Sequence, residues 1–414
     1  MARKTFDEDA AMQHLKKFCL IGAKFKSPGN IPTNHFILDF VIHNGCDPTK
    51  IDLSKLEDYD PTVPLGFPLG KLVEIFGEEG GGKSSIAHRV VGSAQKLGYT
   101  SVWLDVEHSY SENLAEINGC KVDDVISPSI SLYAEDVLDL IISFCTAKKV
   151  PVVKNGKNIL IDAPKVIVVD SVASLIPKAR AESSSEQQFM ALLPRLLSDN
   201  LGKIADAAEK NGVLVIFVNQ LREKVGVMFG NPETSPGGRA LKHFCSLRLK
   251  ITKKKGKDAL IYIEDEETGD EKLIGGHSYI NIEKNRFAKP YLESMSIPVY
   301  YEPYFPDIQD IAFDVGRQIK LIAVRKGVYS WKDVKCEGRK TFIDYIKNEN
   351  LIGELTSDIK SKAEEDNILL PPELIQYERN EDVKSGKQVP RDRSSKDSKR
   401  SKKNIDQPSG ENGS

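Results

Sequence analysis

Eight consecutive residues carry the sharpest chemistry in the chain: Gly77-Glu78-Glu79-Gly80-Gly81-Gly82-Lys83-Ser84. The spacing is G-x-x-x-x-G-K-S. Glycines let the backbone turn its N–H groups inward around a phosphate chain, the lysine reaches the terminal phosphates, and the hydroxyl holds magnesium. These residues, with Ser85 directly after them, therefore read as an ATP and Mg2+ site. A chance glycine-rich turn is the alternative, but it would have no reason to lie between a strand and a helix.

Such a site needs one carboxylate beside the metal and another to act on the attacking water, both at the carboxyl ends of neighbouring strands. Val166–Val169 is an apolar run that ends in Asp170, which is expected to hold magnesium through a water; an Asp capping the next turn is the plainer reading. Glu107 follows the run Thr100–Leu104 and is the candidate to polarise water, with Asp105 a rival two residues earlier. Val213–Val218 delivers Asn219 and Gln220 to the same edge. An amide there either senses a γ-phosphate or satisfies buried backbone groups.

These positions require a particular scaffold. Lys71–Phe76, Thr100–Leu104, Val166–Val169 and Val213–Val218 are short and nearly all apolar, as strands buried on both faces are. Helical patterns separate them: after Lys83, apolar residues at Ile86, Val90 and Ala94 mark a helix ending near Gly98. Two alternating runs, Ser246–Ile251 and Ser278–Glu283, predict antiparallel strands that extend the sheet. The fold class is α/β, a mostly parallel sheet flanked by helices. Around this core, at residues 66–314, we place an N-terminal extension over 1–65, a small α+β region over 315–370 and a basic, disordered tail over 371–414. In that tail nine Lys or Arg face two Asp between Lys384 and Lys403.

Bulk properties exclude several classes. Basic and acidic residues number 58 and 60, so no whole-molecule field draws in nucleic acid and any such contact must be local. Six scattered cysteines lack a C-x-x-C pair or zinc spacing and read as reduced, mostly buried thiols. No apolar stretch of signal-peptide or membrane-span length is present, and a cytoplasmic setting is expected.

From Leu221 to Lys242 the sequence has little periodicity and carries Gly226, Gly230, Pro232, Pro236, Gly237 and Gly238. Arg222, Lys224, Arg239 and Lys242 can pair with phosphates, Gly237 and Gly238 allow close backbone approach, and Val227-Met228-Phe229 offers apolar wedges between bases. Such a mixture suits a DNA strand; a flexible substrate lid is the alternative. The stretch 150–161 has the Asn155-Gly156 turn and flanking apolar runs of a β-hairpin.

Taken together, Pro68-Leu69-Gly70, the phosphate loop, Glu107-His108, Val169-Asp170-Ser171-Val172-Ala173-Ser174-Leu175, Asn219-Gln220-Leu221-Arg222 and Gly226-Val227-Met228-Phe229-Gly230-Asn231-Pro232-Glu233-Thr234 resemble the bacterial RecA recombinase family from about Ile31 to Asn350. The resemblance implies a RecA-type P-loop NTPase core. It also implies a filament of self-associated subunits that uses ATP to pair single-stranded DNA with homologous duplex DNA and exchange strands. Glu107 would be the catalytic carboxylate, Gln220 the γ-phosphate sensor, and Arg222 to Arg239, including Lys224, Val225, Met228, Phe229, Gly237 and Gly238, the second DNA-binding loop. The first would span about Ala181 to Arg195, with Met190, Arg195 and Ser198 matching family DNA contacts. Lys284 and Arg286 match a cation pair that reaches the neighbouring subunit's ATP, whereas without the resemblance they read as a solvated pair. Tyr300 matches an adenine-packing position, and otherwise reads as a strand-face aromatic. Ser111 stands where the family has an adenine-contacting Asp, Asp7–Phe18 matches its N-terminal packing helix only loosely, and the tail is basic where bacterial relatives often end acidic.

Overall fold

The computed structural model describes residues 28–47, 64–128, 133–154, 156–181, 192–223, 233–234, 236–256, 259–264, 271–301, 308–325, 327–365, 370 and 374. Its centre is a nine-stranded sheet. The strands are β1 (Leu72–Gly77), β2 (Ser101–Asp105), β3 (Val125–Ile126), β4 (Val166–Asp170), β5 (Leu214–Gln220), β6 (Leu247–Lys253), β7 (Leu260–Glu264), β8 (Glu271–Asn285) and β9 (Met295–Tyr300). Their spatial order is β7-β8-β6-β1-β5-β4-β2-β3, with β9 also paired to β8. From β6 to β3 every pairing is parallel, whereas β8 pairs antiparallel with β6, β7 and β9.

The expected antiparallel pair is present: β6 pairs antiparallel with β8, and on its other side it lies parallel to β1, which joins the pair to the sheet. With neighbours on both sides, Leu247, Arg248 and Leu249 are all buried, so the polar residue at 248 is a cation in the core, whereas Lys250 and Thr252 are partly exposed.

Strand residues alternate between two apolar layers, as the pleat requires. Val166 and Val168 join a cluster that includes Ile86, Val90 and Ala94 of helix α1 (Lys83–Lys96). Ile167 and Val169 face the other cluster, built with α2 (Ala134–Thr146), α3 (Leu192–Asn211) and α4 (Gly238–Phe244). Both sheet faces are therefore covered, which accounts for the continuous apolar runs. Ile31, Leu38, Val41 and Ile42 also pack into the first cluster. A third cluster around Phe313, Trp331, Phe342 and Ile359 unites three helices (Ile308–Gln318, Arg339–Asn348, Ile352–Glu365) with a three-stranded antiparallel sheet (Ala323–Arg325, Val328–Trp331, Val334–Glu337). The 150–161 stretch is a hairpin: Lys149–Lys154 pairs with Lys157–Asp162, and Gly156 takes a positive φ at the turn. No helix among the described residues is long and apolar enough to cross a membrane.

The register brings the chemistry to one edge. Gly77 pairs with Gln220, Asp170 with Val218 and Asp105 with Asp170, so four strand ends finish side by side.

Candidate functional site

The phosphate loop joins β1 to α1. Gly77 admits no side chain, because a Cβ there would lie 2.0 Å from the Ile251 carbonyl oxygen of β6. Gly82 starts the helix with φ +93°, and a Cβ on it would meet Val299 Cγ2 at 2.6 Å. These two positions need glycine, as the tight turn of a phosphate-holding loop at a helix N-terminus does. Glu78, Glu79 and Gly80 form its exposed outer arc, while Gly81 and Ser85 are buried. Lys83 is buried and donates from Nζ to the Glu78 carbonyl at 2.6 Å. Burial pulls its pKa down, opposed by the carboxylates of Asp170 and Glu107.

Ser84 Oγ donates to Asp170 Oδ2 at 2.8 Å. A hydroxyl and a carboxylate side by side form the hard oxygen set that magnesium takes, so this pair fits the ion. Asp170 is buried, and desolvation raises its pKa to about 6 despite the Ser84 hydrogen bond. A cation at this spot would reverse that trend.

The two rival carboxylates after β2 separate by geometry. Asp105 accepts the backbone amides of Ser109 and Tyr110, both at 3.0 Å, and so braces the loop that carries Glu107. Glu107 instead points to the strand edge, where its Oε1 accepts from Gln220 Nε2 at 2.7 Å, from Ser174 Oγ at 3.1 Å and from Ser171 Oγ. Gln220 and Asn219 also part ways. Asn219 is fully buried, donates to Glu74 Oε1 and to the Pro236 carbonyl, and accepts from the Gln220 amide. It is thus the satisfied buried amide, and Gln220 alone faces Glu107.

Tyr300 ends β9 beside the loop, next to Val299, which seals Gly82. The Arg89 guanidinium lies 5.8 Å from the Tyr300 ring and binds Asn118 Oδ1 at 3.1 Å and the Pro298 carbonyl at 3.0 Å. Sequence reading missed Arg89, Glu74 and Arg248. A cation on the buried face of α1, or in the middle of an apolar strand, is the signal that could have marked them. Ser111 caps the helix Glu112–Ile117 by accepting the Leu114 amide.

The segment after Gln220 holds more regular structure than its composition suggests. Arg222 and Glu223 pair with Thr234 and Glu233 as a short antiparallel stem, and α4 begins at Gly238, so Gly238, Arg239 and Lys242 are helical rather than loop residues. Buried Ala240 and Leu241 supply the packing that glycine-rich flanks concealed. Likewise, Arg195 and Ser198 lie inside α3 instead of a loop, both exposed, with Ser198 Oγ donating to the Pro194 carbonyl. A Cβ on Gly238 would lie 3.1 Å from Pro194 Cβ, so the starts of α3 and α4 touch and bring Arg195 and Arg239 to one region. Met190, Lys224, Val225, Met228 and Phe229 lie outside the described residues, as do 1–27 and 375–414; Leu374, expected in the tail, is instead buried in the third cluster, where an apolar side chain finds a core to enter.

Lys284 and Arg286 are not part of the phosphate edge. Lys284 pairs across the sheet with Arg248, three residues before Ile251, the residue level with Gly77. Its Nζ donates to the Lys242 and His243 carbonyls, both at 2.8 Å, and Arg286 donates to His243 at 3.2 Å. Two cations thus sit at the carboxyl end of α4, where the helix dipole favours them.

The RecA N-terminal domain family matches residues 62–303. The chain is 33% identical to Protein RecA of Caldanaerobacter subterraneus subsp. tengcongensis over 72% of its own length and 79% of the relative's, and 33% identical to Protein RecA of Clostridium novyi over 72% and 78%. Protein RecA of Mycoplasma mobile is 32% identical over 73% of this chain and 84% of that one. A solved structure titled as the RadB recombinase aligns over 57% of this chain and 90% of that one, at 19% identity and a TM-score of 0.38, a likeness too slight to bear on the fold. With one family spanning more than half of its residues and these relatives spanning nearly three quarters, the chain belongs to the RecA family of DNA recombinases.

Proposed function

We propose that this recombinase ATPase assembles on single-stranded DNA as a filament when ATP is bound, pairs it with homologous duplex DNA, and is reset by DNA-stimulated hydrolysis. One observation carries the reading: Gln220 joins the carboxylate Glu107 at 2.7 Å and is also the last residue before the 221–237 segment. A side chain in that position feels the γ-phosphate and hands the result to residues that touch DNA, an order–disorder switch.

In this reading Gly77 to Ser85 embrace the phosphates, Lys83 pairs with their terminal oxygens, and Tyr300 packs the base. Ser84 and Asp170 would hold magnesium, which supplies positive charge that offsets charge on the phosphates. Glu107, with Oε1 held by three donors, activates the attacking water. Arg222, Lys224, Val225, Met228, Phe229, Gly237, Gly238 and Arg239, with Met190, Arg195 and Ser198, form the DNA surface. Lys284 and Arg286 sit away from their own phosphate edge, which supports a role in trans: they complete the neighbouring subunit's site as arginine fingers do.

Mixing two inactive variants tests this arrangement. Lys83→Ala keeps the cations but has lost its own site, and Lys284→Ala/Arg286→Ala keeps the site but has lost the cations. Each alone is expected to lack ATP turnover on single-stranded DNA, and the mixture to regain it. A mixture as inactive as its parts would reject the shared site.

A further inference from the structure

The segment between Gln220 and α4 enters and leaves the sheet at a single side chain. Asn219 is fully buried, and each polar atom of its amide is engaged: Nδ2 donates at 2.9 Å to Glu74 Oε1 and at 2.9 Å to the Pro236 carbonyl, while Oδ1 accepts the Gln220 amide at 3.0 Å. Glu74 is itself buried on β1, and its other oxygen holds Arg248 Nε of β6 at 2.6 Å. The Arg248 guanidinium lies 4.4 Å from the Phe76 ring. Three neighbouring strands, β5, β1 and β6, therefore clamp Pro236 from below.

The consequence is mechanical. Gln220 at the entrance is half-buried and bonded to Glu107, a group that must respond to nucleotide. Pro236 at the exit is tied through Asn219 to an ion pair in the core. The residue after it, Gly237, has φ +94°, and a Cβ there would meet Leu241 Cδ1 at 2.7 Å and Leu197 Cδ1 at 2.9 Å. That exit is packed as a core element is.

We infer that Asn219 is a positioning residue for nucleotide-controlled DNA binding. It fixes the exit of the segment, so that displacement of Gln220 shifts the Arg222–Glu223 strand against a stationary partner instead of dragging the whole segment. The inference rests on the nucleotide-switch reading above and adds to it a residue that contacts neither ATP nor DNA.

The test is the gain in affinity for an oligothymidine single strand when ATPγS is added, measured by fluorescence anisotropy. Asn219→Ala leaves Glu74 paired with Arg248 but removes the ties to Pro236 and Glu74 and the acceptor of the Gln220 amide. The gain should fall by about tenfold or more, the worth of one to two buried hydrogen bonds. Asn219→Asp alone would set a second buried carboxylate against Glu74, so it is combined with Glu74→Gln; the pair keeps one negative charge and the oxygen that accepts the Gln220 amide but has no N–H for Pro236, and should fail equally. If capping of Gln220 were the whole role, the Glu74→Gln/Asn219→Asp pair would match the wild type, and that result overturns the inference.

A second measurement needs no variant. Amide exchange in the wild-type chain should slow at 220–223 on addition of ATPγS and stay constant at 237–241. Equal slowing at both ends overturns the fixed exit. A wild-type chain with no ATPγS gain at all sinks the switch reading together with this inference, whereas a gain that survives in both variants sinks the inference alone.

Discussion

Removing the carboxylate of Glu74 should unlock the core below the 221–237 segment. The side chain is fully buried and anchors Arg248, itself 7% exposed, at 2.6 Å. In Glu74→Ala the guanidinium loses its only carboxylate at bonding distance among the described residues and cannot reach water without moving a strand. Breaking a buried pair from one side costs about 3–5 kcal/mol. The Phe76 ring stays 4.4 Å from the guanidinium carbon, and its cation–π attraction, on the order of 1–2 kcal/mol when desolvated, holds the cost near the lower end. For a core of about 250 residues each kcal/mol shifts Tm by about 2–4 °C, so the variant should melt about 6–12 °C early by calorimetry. Glu74→Leu/Arg248→Leu should recover much of the loss, because an apolar pair leaves no unpaired charge. A Glu74→Ala variant that melts with the wild type, or a double variant that melts far below the single one, would refute the reasoning.

Other outcomes follow from the same geometry. Glu107→Gln keeps the shape of the side chain and should still bind nucleotide while phosphate release slows by about a hundredfold or more; normal turnover would remove Glu107 from the role of base. Gly82→Ala adds strain at φ +93° and a clash with Val299, and should weaken binding of a fluorescent ATP analogue, whereas Gly98→Ala, at φ +79° in open space, should cost stability but not nucleotide binding. Equal nucleotide affinity in both would contradict the cradle. His88 is buried and stacked on Trp103 at 4.0 Å, and desolvation lowers its pKa from 6.5 to about 3. The unfolded chain takes up a proton that the folded one refuses, so stability is lost as pH falls from 6.5 towards 3, by about 1.4 kcal/mol per pH unit. His88→Phe should reduce the slope in urea melts by that amount and leave the share of His35, whose pKa burial also lowers to about 3; an unchanged slope would show that His88 does not contribute.

Local patterns made much of this molecule legible. The four central strands, β1, β2, β4 and β5, announced themselves as short apolar runs, because a parallel sheet covered on both faces leaves no polar alternation, and the phosphate loop followed from glycine and lysine spacing; β3, β7 and β9 gave no such run and were not read. What escaped is held together over long separations. Glu74, Asn219 and Arg248 lie 145 and 174 residues apart along the chain, and no window of sequence displays them as a unit. Asp105 and Glu107 could not be told apart by spacing, since only the fold shows that Asp105 is engaged by the amides of Ser109 and Tyr110. Helix α4 was hidden because Gly237 and Gly238 read as loop residues, although both take positive φ where the chain turns into the helix.

The central claim is that nucleotide held at the ends of β1, β4 and β5 governs what the chain does with DNA. Joint-molecule formation between a circular single strand and homologous linear duplex, run with ATP, without nucleotide and with the Lys83→Ala variant, tests it most directly. Joint molecules should accumulate only with the unaltered chain, ATP and homologous sequence together. Pairing that proceeds equally without nucleotide, or none under any condition, would contradict the account.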